Sequence, residues 1–301
     1  MQRVWLAIVV ASLGWGTAGV ATRAALNEGV TPYWLAGYRS AFAVAAVVIF
    51  LLVLRRGLPK GAPAWKVGIA MGISNLAAPF IFSNLALQHA GAGFLGLMTA
   101  LIPLFTATFA HFTLRNEPLS MAKTAGLLIG LSGVAVLFIS GDTGLADGGR
   151  PIVAGLLGLG AVLAISGGSI YAKHYAGRYE PLDVTGIHFA SGTAIIAISM
   201  VVAEGGPPPV TVRAWWLLLY MALASTFLPT VLYYWLLRKV TATYAALAGY
   251  VIPVIAVTAG VVLLDEQLQS GIIFGGVLIL IGVLVTDRAE HQTRSKPSTA
   301  G

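Results

Sequence analysis

The sequence predicts an all-α integral membrane fold of ten transmembrane helices, arranged as two inverted five-helix repeats. Three observations carry that prediction: a charge-poor apolar composition, ten apolar runs of membrane length, and a match between the two halves of the chain. Of 301 residues, 57% are hydrophobic and only 10% charged, with a mean hydropathy of +0.86, whereas soluble domains carry charge on about a quarter of their residues. The apolar residues surround every helical face instead of forming one stripe, which is the pattern of a chain solvated by lipid.

Runs of about 20 apolar residues, enough to cross a ~30 Å hydrocarbon core, lie at Val4–Leu26, Tyr33–Leu54, Val67–Leu87, Ala92–Leu114 and Met121–Ser140. Five more follow at Ile152–Lys173, Asp183–Ala203, Arg213–Leu237, Thr243–Leu264 and Gly271–Thr286. The breaks between them are charged or rich in Gly, Pro and Asn. The first run is long, holds Trp15 and Arg23, and lacks a small-x-small cleavage site, so it reads as the first helix and not as a signal peptide. With the N-terminus cytoplasmic, only Arg23, Arg39, Arg150 and Arg213 of the 18 lysines and arginines fall outside or in the outer half, which places both termini in the cytoplasm. The net charge of +7 therefore reports topology; its bases form no groove-sized patch for nucleic acid. Cysteine is absent, which removes disulfides and thiolate chemistry, and no cofactor or metal site is expected.

Sliding the chain on itself by about 150 residues brings Pro79 onto Pro229, Leu87 onto Leu237, Ala92 onto Ala242 and Pro103 onto Pro253. After one gap, Asn116-Glu117-Pro118-Leu119 falls on Asp265-Glu266-Gln267-Leu268, Gly126 on Gly275, and Gly133 on Gly282. The Gly/Pro/Asp stretch Gly141–Pro151 separates the halves, giving repeats at 1–145 and 146–301. Five crossings per repeat force opposite orientations, the arrangement of carriers whose solute site lies on a central path near the midplane between repeats. An intramembrane enzyme would need a nucleophile with its base, a metal cluster or a carboxylate pair at depth, and the sequence offers none. ATP-driven transport would need a Gly-x-x-x-x-Gly-Lys-[Ser/Thr] loop, also absent.

The ten-helix count, the apolar run ending in Pro103-Leu104, the closing Asn116-Glu117-Pro118-Leu119 and its second copy at Asp265-Glu266-Gln267-Leu268 resemble the drug/metabolite transporter superfamily, EamA-type. Trp15-Gly16 and Arg39 resemble that pattern too. Within it the chain is most similar to bacterial inner-membrane exporters of the aromatic amino-acid type. The resemblance implies efflux of amino acids, with the lipid bilayer and the solute as the partners; it leaves the oligomeric state open, a monomer being sufficient. One departure is Gly167-Gly168 in the second half where the first has Trp15-Gly16, which predicts an asymmetric path.

Pro79, Pro103, Pro229 and Pro253 fall near the middle of four spans. A proline leaves a backbone carbonyl unpaired, and in lipid such a group must face protein or a water-filled cavity, so these spans are expected to line the path and to kink or gate it. Asn75 and Asn84 are costly in hydrocarbon and are expected to bond solute or a neighbouring helix, Asn75 first because it lies deeper. Ser166 is a weaker polar candidate. Trp15, Tyr38, Phe80, Met98 and Tyr250 are expected to supply an aromatic-lined pocket. Arg39 is read first as snorkelling to the outer interface, with a substrate carboxylate as the alternative; His188 occupies the corresponding place in the second half and is a possible proton site. Glu266 and the other acids fall at helix ends where water reaches. A proton-coupled multidrug or organic-cation exporter is the alternative function, but such proteins place a carboxylate deep in the first helix, and Val4–Leu26 has none.

Overall fold

The computed structural model describes residues 2–57, 61–113, 120–146, 148–175, 178, 181–239 and 242–295, with side chains left undescribed at 2, 181–183, 233–234, 237–239, 242–250 and 289–295. Every regular element among them is helical. The first passage is broken at Thr17 into α1 (Gln2–Gly16) and α2 (Ala18–Asn27), and α3 (Pro32–Val53) returns. The third is α4 (Ala62–Met71), a π-helical segment (Gly72–Ala77) and α5 (Ala78–Ala86). The fourth is α6 (Ala92–Thr99) and α7 (Ile102–Thr113); α8 (Met121–Ser140), α9 (Pro151–His174) and α10 (Pro181–Glu204) are continuous. Then come α11 (Val212–Ala222), a second π-helical segment (Leu223–Phe227) and α12 (Leu228–Lys239), followed by α13 (Ala242–Leu264) and α14 (Ser270–Ser295).

Nine of these passages are long and apolar enough to cross a membrane by their described residues. The tenth, α13, is 23 residues long. Large apolar side chains such as Leu52, Val53, Ile139 and Val202 are exposed, as expected of surfaces that lipid covers.

All the irregularities but the break at Thr17 lie beside prolines. Pro79 and Pro229 each stand just after a π-helical segment. A proline offers no N–H to the carbonyl four residues earlier, and a π turn is one way for the chain to re-register around that gap. Pro103 stands one residue into α7, where the fourth passage breaks, and Pro253 sits inside a continuous α13. The packing pairs α3 with α10, α8 with α14, α5 with α9, and α1 with α12.

One end of the bundle is tied by backbone groups and carboxylates. At this end Gly91 N donates to Thr143 O (2.8 Å), Arg150 N to His89 O (3.0 Å), and Gln267 N to Gly144 O (2.8 Å). Three helix N-termini here accept a carboxylate from elsewhere in the chain: Glu204 takes Tyr33 N and Trp34 N (both 3.2 Å) on α3, Asp142 takes Gly271 N (2.7 Å) on α14, and Glu266 serves α6. A carboxylate there satisfies orphan N–H groups and meets the positive end of the helix dipole.

Candidate substrate cavity

A cavity of about 160 Å³ lies where α1, α2, α3, α5, α6 and α13 meet. Its walls are Trp15, Gly16, Gly19 and Thr22 of the first passage, Arg39 of α3, and Pro79, Phe80, Ser83, Asn84 and Leu87 at the third. Ala92, Leu95, Gly96 and Thr99 of α6 and Ile252 and Ala256 of α13 complete it. Gly16 and Gly96 let α13 come this close: a Cβ on Gly16 would stand 2.7 Å from Ile255 Cβ. A second cavity of about 150 Å³, lined by Pro103, Pro253, Leu280 and Val283 among others, shares Thr99 and Ile252 with the first.

Among the described residues, Arg39 is the only charged side chain lining the main cavity. It is 7% exposed, and its Cζ lies 4.1 Å from the centroid of Phe80, a cation–π contact. Its Nε donates to Thr226 Oγ1 at 2.9 Å, and Nη2 makes a long 3.5 Å contact to Ser225 O, the carbonyl four residues before Pro229. No acidic side chain pairs with it among the described residues. A guanidinium has five N–H groups; two are used here, and three remain for a ligand. The snorkelling expectation is thus overturned: Arg39 points inward, held by the aromatic face and by a carbonyl at the π-helical segment.

Asn84, 1% exposed, lines the cavity with Nδ2 donating to Pro32 O at 2.9 Å, which leaves its Oδ1 as an acceptor. Asn75 does not line it. With its amide nitrogen turned to α9, Asn75 donates to Ser74 O and Ile165 O, each at 3.2 Å, so it joins helices, and its ranking above Asn84 reverses. Ser166 donates to Ile102 O at 3.2 Å across to the fourth passage. Met98 is fully buried in the apolar core, against the α9 face at Gly158. Tyr38 packs between Trp34 (5.3 Å) and Trp215 (4.9 Å), away from the cavity. Pro229 meets α1 at Gly14. Tyr250 lies on α13 with its side chain undescribed, and the Asn116–Leu119 motif lies outside the described residues.

Sequence reasoning missed Thr22, Ser83, Leu87 and Ala92 as lining residues, since small residues in apolar runs carry no signal. It also placed Glu266 in water, whereas the side chain is 7% exposed. His188 is buried, and both ring nitrogens lack a hydrogen-bond partner among the described residues. It lines neither cavity. An orphaned buried polar group costs about 1–3 kcal/mol, so His188→Leu is expected to raise the thermal unfolding midpoint in detergent. A lower midpoint would mean that the imidazole has a partner in the folded protein.

A sequence profile of the EamA-like transporter family matches residues 2–139 and again 152–286, covering most of the chain. The chain belongs to the EamA-like transporter family. The double match splits at the stretch that separates the repeats read from the sequence. Relatives of this EamA-like protein include the uncharacterized transporter YoaV of Bacillus subtilis (strain 168), 26% identical over 95% of this chain and 97% of the relative. Another is a probable terminal-alkyne amino-acid exporter of Streptantibioticus cattleyicolor, 24% identical over 100% of this chain and 98% of the relative. A solved crystal structure superposes with a TM-score of 0.67 over 98% of this chain and 100% of its own, at 23% identity, and bears on the fold alone.

Proposed function

We propose that this EamA-like transporter exports amino acids, aromatic ones foremost, through the Arg39 cavity by alternating access of two inverted repeats. The observation that carries the reading is a buried guanidinium with unused donors over the ring of Phe80, in a cavity that Trp15 also lines. A carboxylate is the group such donors match, and the rings suit a flat apolar side chain. Asn84 Oδ1 offers an acceptor to an ammonium. A relative named as a probable amino-acid exporter supports the same solute class. The two π-helical segments and the mutual pairing of α3 with α10 and α8 with α14 support repeats at 1–145 and 146–301, and the lysine and arginine bias supports cytoplasmic termini in a bacterial inner membrane.

At about 160 Å³ the cavity is below the ~300 Å³ at the small end of ligand sites. It must widen to take an aromatic amino acid, which the proline-broken passages around it permit. Among the described residues no acid lines the cavity to receive a proton, which supports a facilitator or a weakly coupled carrier. Radiolabelled amino acids offered to liposomes containing the purified protein, with and without a pH gradient, test this. Saturable uptake of aromatic amino acids without a gradient is expected. Gradient-driven movement of an organic cation, with no amino-acid uptake, would replace this reading with a proton-coupled multidrug exporter.

A further inference from the structure

We propose that Glu266 is the latch of the outer end of the path, holding the 87–92 connection down as the cavity roof until the two halves move apart. The inference rests on the alternating-access reading above. Leu87 and Ala92, at the two ends of that connection, both line the cavity. The Glu266 carboxylate accepts from Ala92 N at 2.5 Å and from Gly93 N at 3.0 Å, the first turn of α6. The carboxylate comes from the second half and the N–H groups from the first, so any separation of the halves at this end must break both bonds.

The surroundings are shaped to the carboxylate. A Cβ on Gly91 would lie 2.6 Å from its Cδ and Oε2, and one on Gly93 3.5 Å from Oε2. On its own side, Glu266 N donates to Gly260 O at 3.2 Å, which fixes the connection that carries it. Arg23 donates to Leu87 O at the other end of the roof. A polar latch suits a moving seal better than an apolar one. When it opens, water replaces each lost bond, so the closed state gains only the small net difference between protein and water partners.

Burial raises the Glu266 carboxyl above its ordinary value of 4.5, against the lowering effects of the Gly93 and Ala92 N–H groups and Arg23. The packed elements also carry His89, Asp142, Arg150 and Asp265; Arg23 is the one whose charge bears on Glu266. Opened to water, the carboxyl returns toward 4.5. The closed form therefore binds the proton more tightly, so acidification favours closure and raising the pH favours opening.

The chain holds no cysteine, so single cysteines can be added directly. Ser83→Cys reports on the cavity and Gly206→Cys marks the face carrying these connections, both read by an impermeant maleimide applied from either side of proteoliposomes. With Glu266→Ala, labelling of the cavity cysteine from the marked face is expected to speed up about tenfold. Gly91→Ala, which keeps the acid but displaces it, is expected to do the same. Glu266→Gln cannot take up a proton and should lose the slowing seen at acid pH. Unchanged rates in Glu266→Ala and Gly91→Ala, or an equal rise from both faces, would overturn the latch. The readout needs no solute, so an error in the amino-acid assignment leaves this test intact.

Discussion

Arg39→Met is expected to lower the uptake efficiency for aromatic amino acids by ten- to a hundredfold while leaving the protein folded. Each hydrogen bond to a charged partner contributes about 1.5–3 kcal/mol, and tenfold corresponds to about 1.4 kcal/mol, so losing one such bond to a carboxylate gives that range. The stability change should run the other way. Arg39 is buried without an acidic partner among the described residues, and removing such a charge relieves its desolvation cost, so the unfolding midpoint should hold or rise. Solutes separate the two roles of the residue. Tyramine, which is tyrosine without its carboxylate, should move slowly through the native protein and no more slowly through Arg39→Met, because the lost interaction needs both partners. Arg39→Lys should recover part of the rate: it keeps the charge but loses the planar fork. If tyrosine and tyramine lose equally in Arg39→Met, the guanidinium supports the helices and does not bind the solute.

The ten spans were legible because lipid imposes a simple rule: about 20 apolar residues in a helix, wherever they point. Three of the four prolines were legible as places of irregular backbone for the same reason: the structure puts π-helical segments before Pro79 and Pro229 and a break before Pro103, whereas Pro253 sits inside a continuous α13. Facing directions were not legible. In an apolar helix no stripe marks the inside, so depth alone ranked Asn75 above Asn84, although Asn75 bonds α9 and Asn84 lines the cavity. Arg39 was misread because snorkelling is a property of the side chain alone, whereas its inward course depends on Phe80, Thr226 and Ser225, distant in the chain. Glu266 looked wet because a helix end usually is, and only the fold brings the first turn of α6 over it.

Gly133→Leu is expected to abolish the monodisperse folded protein, a larger effect than any cavity substitution. A Cβ at Gly133 would stand 2.6 Å from Gly275 O and 2.9 Å from Ile279 N, and one at Gly126 would stand 2.6 Å from Gly282 O. These neighbours are backbone atoms and cannot rotate aside, so the whole of α14 would have to move. In lipid there is no hydrophobic drive to hold helices together, and close packing over small residues carries much of the association. The pairs also carry the symmetry of the chain. The sequence aligns Gly126 with Gly275 and Gly133 with Gly282, and the contacts Gly126–Gly282 and Gly133–Gly275 exchange when the halves are swapped. A seam of backbone on backbone resists sliding, so on the alternating-access reading proposed above α8 and α14 are expected to be the fixed axis about which the cavity-lining helices move. Gly206, with nothing within 4 Å of an added Cβ, is the control: Gly206→Ala should leave the unfolding midpoint within about 0.5 kcal/mol of stability. If Gly133→Leu folds and elutes as the native protein does, the two helices are not clamped, and the axis of motion lies elsewhere in the bundle.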